Sequence, residues 1–256
     1  MHLFGWVSLS SPFQHKISII FKKIIPKSLI LPIIEGPLKG KKWIVNSSNL
    51  AYYLGNFENR QMNIVKDLLH NGDIFYDIGA NVGTYTLLSS EKVGNPGIVV
   101  AFEPLPANVK ILNKHIQMNN CTNVRVIECA LSNVSGVSMF FEHPDNTMGS
   151  ISKNGNLEVP TLTLDSVVAD GIAPPPDLIK MDVEGTESMV LCGGLDVLRN
   201  YCPTLLISLH SDQQREECID LLRGLGYSIQ PIDDRDLSRT SDIIACKSKE
   251  GLNYEK

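Results

Sequence analysis

The chain has 256 residues, 43% hydrophobic and 20% charged, enough for one large α/β domain with a full core. Its net charge is −5, yet residues 1–42 carry seven lysines against one acid, Glu35, or +6, so residues 43–256 carry −11. A body this acidic lacks the basic face that nucleic-acid binding needs, and that class of partner is excluded.

The N-terminal stretch "IIFKKIIPKSLILPII" (Ile19–Ile34) is apolar but broken by lysines and by Pro26 and Pro32. No run reaches the ~18 apolar residues that span a bilayer, and the lysines are not placed as in a signal peptide. We read residues 1–42 as a basic, partly helical arm and residues 43–250 as one domain. The arm packs on its own domain or on a partner; peripheral contact of residues 16–42 with an anionic membrane is the alternative. Six scattered cysteines without a C-x-x-C pair read as reduced thiols of a cytoplasmic protein, each a small buried hydrophobe.

After a turn, Lys42–Val45 reads as a short strand. Glu58–His70 has helical spacing (Met62, Ile64, Val65, Leu68, Leu69), stopped by Asn71-Gly72. Strand and helix then alternate: strand Ile74–Ile78, helix Val82–Lys92, strand Gly97–Phe102, helix Pro106–Asn119, strand Val124–Glu128. Residues 137–160, rich in Asn, Gly, Ser and Pro, read as irregular. A short helix near Asp165, a strand over 176–183, a helix Glu187–Asn200, a strand over 204–210 and a helix Gln213–Leu225 follow. "GYSIQPID" and "SDIIACK" then form a hairpin. Repeated βα units predict an α/β, doubly wound, Rossmann-like sheet, mostly parallel, whose last strand enters antiparallel through the hairpin.

In such a sheet ligands bind at the carboxyl ends of the strands, near the switch point. The first strand ends in "DIGANVG", Asp77–Gly83. Gly79 permits a tight turn and close approach of a ligand, Asn81 can cap the following helix, and Gly83 lets its first turn sit close. The G-x-G-x-x-G fingerprint and the phosphate-binding lysine are both absent. A carboxylate at Asp77 repels pyrophosphate and suits an ammonium, so the loop fits a cationic nucleotide without phosphates, S-adenosylmethionine (SAM). Glu103, 20 residues after Gly83, can take both ribose hydroxyls. Cys129 and Ala130 can form an adenine slot. Lys180, Asp182, Glu184 and Glu187 crowd the end of the fourth parallel strand, where paired carboxylates can bind a divalent ion or act as a base; Glu187 can instead complement its helix dipole. His210 ends the fifth and can titrate near neutral pH. The histidines at 2, 15, 70, 115 and 143 read as surface residues without partners.

Together "YYLGNFE", "GDIFYDIGANVGTYTLL", "VVAFEPLPANVKILNKHIQMNN", "ALSN", "TLTLDSV" and "LIKMDVEGTE" resemble the FkbM family of SAM-dependent methyltransferases over residues 50–210. The resemblance implies a seven-stranded Rossmann-like fold and O-methylation of a hydroxyl on a sugar, glycan or secondary metabolite. It implies SAM contacts from Asp77, Gly79, Ala80, Asn81, Gly83 and Thr84, from Glu103 and Pro104, around Ala130, and from Glu58 near the methionine end. Asp182, Glu184, Lys180 and His210 are the candidate catalytic residues. The family often carries an acid two residues before the histidine; here that position is Ser208, which leaves a divalent metal site open. An NAD-linked oxidoreductase or epimerase and a SAM-binding module without chemistry are the rival readings.

Overall fold

The computed structural model describes residue 26 and residues 28–247, apart from 49, 56, 143–148, 153 and 234. His2, His15 and His143 therefore lie outside the described residues, as do residues 1–25 and 27 of the basic arm. The chain divides into two compact units between Asn59 and Arg60. In the first, β1 (Ile30–Pro32) pairs antiparallel with β2 (Lys42–Ile44), and α1 is Leu50–Leu54. Trp43 is fully buried and its ring lies 6.3 Å from that of Tyr52. What is described of residues 28–42 is strand and turn.

The second unit starts in α2 (Asn59–Leu68) and continues through β3 (Ile74–Ile78), α3 (Thr84–Val93), β4 (Ile98–Phe102), α4 (Pro106–Met118) and β5 (Val124–Ile127). After an inserted segment come α5 (Leu164–Ala169), β10 (Leu178–Met181), α6 (Glu187–Cys192), α7 (Leu195–Asn200), β11 (Thr204–Ser208), α8 (Asp212–Gly224), β12 (Ser228–Pro231) and β13 (Asp242–Cys246). The seven-stranded sheet runs β12-β13-β11-β10-β3-β4-β5. β5, β4, β3, β10 and β11 are parallel; β13 lies antiparallel between β11 and β12. This is the predicted doubly wound sheet, with its switch point between β3 and β10. Its central strands are near-continuous apolar runs, as burial on both faces requires. Lys180, 1% exposed, is the exception in β10.

Side chains alternate across the sheet. Tyr76, Ile78, Val100, Phe102, Ile179 and Ile207 share one core with Leu164, Val190, Leu198 and Leu222 of α5 to α8. Ala101, offset by one residue, packs with Ala80 and with Leu112 of α4.

Two expectations need correction. The described residues of 137–160 are mostly strand: β6 (Ala130–Leu131), β7 (Gly136–Glu142), β8 (Gly149–Ile151) and β9 (Leu157–Leu162) form a second sheet, ordered β6-β9-β7-β8. "GVSMFFE" alternates, burying Phe140 while leaving Val137, Met139 and Phe141 exposed; this period of two is the strand signal that the Asn, Gly and Pro content masked. The helix expected over 187–200 is two helices, broken at Gly193-Gly194, a pair of poor helix formers that close packing requires, since side chains there would strike the Ser132 carbonyl and Leu164. The six cysteines are free, but only Cys129 and Cys218 are buried, and Cys192 is exposed.

The switch point depends on Gly79. Its φ is 82°, and a Cβ there would come within 1.9 Å of the Asp182 carbonyl oxygen. Gly79→Ala should therefore cost at least the roughly 1–3 kcal/mol of a strained residue, read as a lower urea midpoint; an unchanged midpoint would show that β3 and β10 do not meet this closely.

Candidate active site

Asp77, next to last in β3, is 2% exposed and accepts a 2.6 Å hydrogen bond from the Thr86 hydroxyl. Burial pushes its carboxyl up to about 6, against the Thr86 hydrogen bond and the charge of Lys180. Gly79 was expected to leave room for a ligand; the atom that would meet a side chain there is the Asp182 carbonyl. Ala80 is buried, and Thr84 opens α3 in a buried position. Asn81 does not occupy the N-cap of α3: that position is Gly83, at φ 101° and without a side-chain cap, while Asn81 Oδ1 accepts from the Val82 amide at 2.8 Å. The helix starts at Thr84, two residues later than the sequence pattern suggests, so residue 81 lies before the cap position.

His115 corrects the surface reading more sharply. It is fully buried on α4, and its Nδ1 lies 2.7 Å from the Val82 carbonyl. Burial lowers its pKa to about 4, so the ring is neutral and Nδ1–H donates, bracing the turn from below. The spacing Val109, Leu112, His115 places it on the apolar stripe of α4, a signal available in the sequence. His70 is exposed as expected but pairs with Asp73 at 3.5 Å.

Glu103, at the end of β4, is 4% exposed and already accepts three hydrogen bonds: from the Asn81 amide at 2.8 Å, the Leu105 amide at 3.0 Å and Asn108 Nδ2 at 3.2 Å. Burial pushes its pKa up to about 7. Pro104 beside it is half-buried. Ala130 opens β6 and packs with Leu105, Phe140 and Val159, so the adenine-slot candidate lies where the second sheet begins. Glu58 belongs to the first unit, at φ 49°.

Beyond β10 and β11 four ionisable side chains meet. His210 Nε2 lies 3.3 Å from Asp182 Oδ1 and 3.3 Å from Glu184 Oε2. Its Nδ1 is 2.7 Å from Oε1 of Glu187, which is wholly buried as the first residue of α6 and also accepts from the Gly185 amide at 2.9 Å. Glu187 thus does more than complement a helix dipole: it holds the histidine ring. Glu184 reaches the cluster from a left-handed conformation, φ 55°. Burial raises its pKa against the charge of His210. Burial by itself lowers the pKa of His210, but the Glu187 hydrogen bond and the charges of Asp182 and Glu184 outweigh it and raise the value to about 9.

Lys180 Nζ lies 3.7 Å from Asp182 Oδ2, donates to Ser208 Oγ at 2.8 Å and to the Met181 carbonyl at 3.2 Å, and sits 5.2 Å from the Tyr85 ring centre. Ser208 in turn donates to Asp242 Oδ1 at 2.9 Å. Sequence reasoning missed Asp242, because nothing along the chain links 180, 208 and 242; only the ladder of β11 and β13 does.

A family profile described as the methyltransferase FkbM domain matches residues 77–229. The chain belongs to the FkbM methyltransferase family. Among its relatives, the hexuronic acid methyltransferase AglP of Haloferax volcanii is 30% identical to this FkbM-family chain over 152 residues, 59% of the chain and 61% of AglP. The chain thus spans about three-fifths of that relative, 61%. The 31-O-demethyl-FK506 methyltransferase FkbM of Streptomyces tacrolimicus is 27% identical over 197 residues, 63% of the chain and 75% of the relative. The crystal structure of methyltransferase FkbM from Methylobacillus flagellatus KT shares the fold, with a TM-score of 0.50 at 17% identity over 77% of this chain and 52% of that one.

The His210 cluster generates a pH signature in the FkbM-family chain. The folded protein holds the imidazolium proton up to about pH 9, whereas a free histidine loses it near 6.5. The stabilisation is therefore complete below 6.5 and is lost as pH rises towards 9. In chelator-treated protein, Tm should fall across that window and His210→Gln should flatten the fall; a wild-type Tm that holds steady there would contradict it.

Proposed function

We propose that this chain transfers a methyl group from SAM to a hydroxyl oxygen of a sugar, glycan or secondary metabolite. One observation carries the reading: Asp182, Glu184 and His210 gather beside the Gly79 turn at the switch point, where a doubly wound sheet receives its ligands. Relatives whose names specify a hexuronic acid and 31-O-demethyl-FK506 support the acceptor class. The domain is proposed to occupy residues 43–250 behind the basic arm 1–42. No helix among the described residues is long and apolar enough to cross a membrane; contact with a membrane surface through residues 16–42 stays a proposal.

SAM, when bound, supplies a methyl group already activated by its sulfonium. The residues have three tasks. Asp77 and the turn to Thr84, with Pro104 and Ala130, would bind the cofactor. A carboxylate has about four acceptor sites and Glu103 uses three on the protein, which leaves room for one ribose hydroxyl rather than the pair. The second task is alignment of the acceptor oxygen, worth roughly 7–11 kcal/mol in good cases. The third is removal of its proton. With His210 raised to about 9, the imidazole is already protonated at neutral pH, which favours a carboxylate, Asp182, as base and His210 as the cation that holds it in place. Asp182 is 32% exposed and its Oδ1 makes no hydrogen bond among the described residues, an arrangement that supports chemistry over a non-catalytic module.

A second reading is favoured by the donor set. The ligand atoms of Asp182, Glu184 and His210 lie within 4.8 Å of one another, Asp182 Oδ1 is buried without a hydrogen bond, and Glu187 holds the other ring nitrogen as outer-shell carboxylates do. These three residues would hold a divalent cation, which supplies a Lewis acid to the acceptor hydroxyl.

Calorimetric titration should show SAM binding at micromolar concentration and NAD not binding; the reverse would overturn the reading. On a panel of hexuronic acid glycosides, neutral glycosides and hydroxylated macrolides, Asp182→Asn and His210→Ala should each lower turnover by about 10²-fold or more while SAM still binds. Full turnover in both variants would remove them from the chemistry. Turnover that survives EDTA would set the metal reading aside.

A further inference from the structure

Lys180 presents an unsolved charge problem. Its ammonium is 1% exposed in the middle of the parallel sheet, and a buried cation is tolerated only when its charge is matched and its protons are accepted. Among the described residues, the one carboxylate within 4.0 Å is Asp182, and at 3.7 Å it is beyond hydrogen-bond length. The two hydrogen bonds go to neutral oxygens, Ser208 Oγ and the Met181 carbonyl. Asp77 and Glu184 feel the charge only at longer range.

The proton positions follow from chemistry. An ammonium only donates, so Ser208 Oγ must accept from it, and the single hydroxyl proton is then free to point elsewhere. It points to Asp242 Oδ1 at 2.9 Å. Ser208 and Asp242 are directly opposed in the antiparallel ladder of β11 and β13, so the link is built into the sheet register. Asp242 is itself held: its Oδ2 accepts from Ser241 Oγ at 3.0 Å and from Gln61 Nε2 at 3.4 Å. Lys180 is thus balanced between two carboxylates, Asp182 on one side and Asp242, through a polarised hydroxyl, on the other.

We infer that Asp242 is a positioning residue of the active site: through Ser208 it shares the charge of Lys180 and so keeps Lys180 from drawing the Asp182 carboxylate away from His210. This rests on the reading of Asp182 as the proton acceptor. Without Asp242, the ammonium turns to Asp182, the partner that is 32% exposed. The hairpin strand β13, remote from the switch point in sequence, then acts on chemistry at the end of β10.

The test uses full-length wild type, Ser208→Ala, Asp242→Asn, the double variant of those two, and the transposed pair Ser208→Asp with Asp242→Asn. First, the Lys180 ammonium is observed by 15N–1H correlation, assigned by its loss in Lys180→Met, together with Tm. The signal should be protected from exchange in wild type, lost in both single variants, and restored in the transposed pair. Second, turnover of a hexuronic acid glycoside should fall about tenfold in each single variant and no further in the double, since the residues act in one chain. The KM for SAM should not change, and the transposed pair should recover. A Tm and turnover that fall together in all four variants, with no recovery of the ammonium signal on transposition, would overturn the inference and leave Asp242 a packing residue of β13. A wild type inactive on the glycoside would count against the proposed acceptor alone, because the ammonium signal and Tm decide the charge-sharing link without a substrate.

Discussion

The carbonyl oxygen of Asp182 occupies the space that a side chain at residue 79 would need. That contact joins the turn after β3 to the end of β10 across the one place where the strand order reverses. Because Asp182 is both the residue that closes on Gly79 and a member of the His210 cluster, the backbone contact sets the distance between the turn and the ionisable groups. The Asp182 amide, bonded to the Ile78 carbonyl at 2.9 Å, continues the parallel ladder into the loop. Backbone geometry, more than any one side chain, therefore brings the two halves of the site together.

Charge is the second constraint. Three carboxylates (Asp182, Glu184 and Glu187) meet two cations, Lys180 and the protonated His210, in a half-buried space, and Asp77 lies within longer range of Lys180. Each cation is shared rather than owned. His210 lies among three acids, and Lys180 lies between Asp182 and the Ser208–Asp242 link. On the proposed reading, such an arrangement would hold excess negative charge near the acceptor hydroxyl and keep Asp182 partly uncommitted. The neutral His115 beneath Val82 adds rigidity without adding charge.

Much of this was legible in the sequence because parallel strands are apolar runs ended by glycine turns, and strand ends carry ligand-binding residues. The places of β3, β4, β10 and β11 in the chain and the gathering of Asp182, Glu184 and His210 follow from that pattern, although β10 and β11 are shorter than the apolar runs suggest. The second sheet was obscured because residues 137–160 mix an alternating strand pattern with Asn, Gly and Pro, and composition drew the eye more than period. His115 was misread since a lone histidine on an apolar helix stripe has no visible partner until the Val82 carbonyl is placed beneath it. Ser208 looked like a lost acid. Its compensation, Asp242, depends on a register between antiparallel strands that no local spacing reveals.

The most direct measurement is a crystal structure of the protein with S-adenosylhomocysteine. The account predicts the ribose against Glu103, the amino acid end against the Asp77–Gly83 turn, and the thioether sulfur facing Asp182 and His210. A ligand seated away from the carboxyl ends of β3 and β10, or one whose sulfur faces away from that cluster, would contradict it.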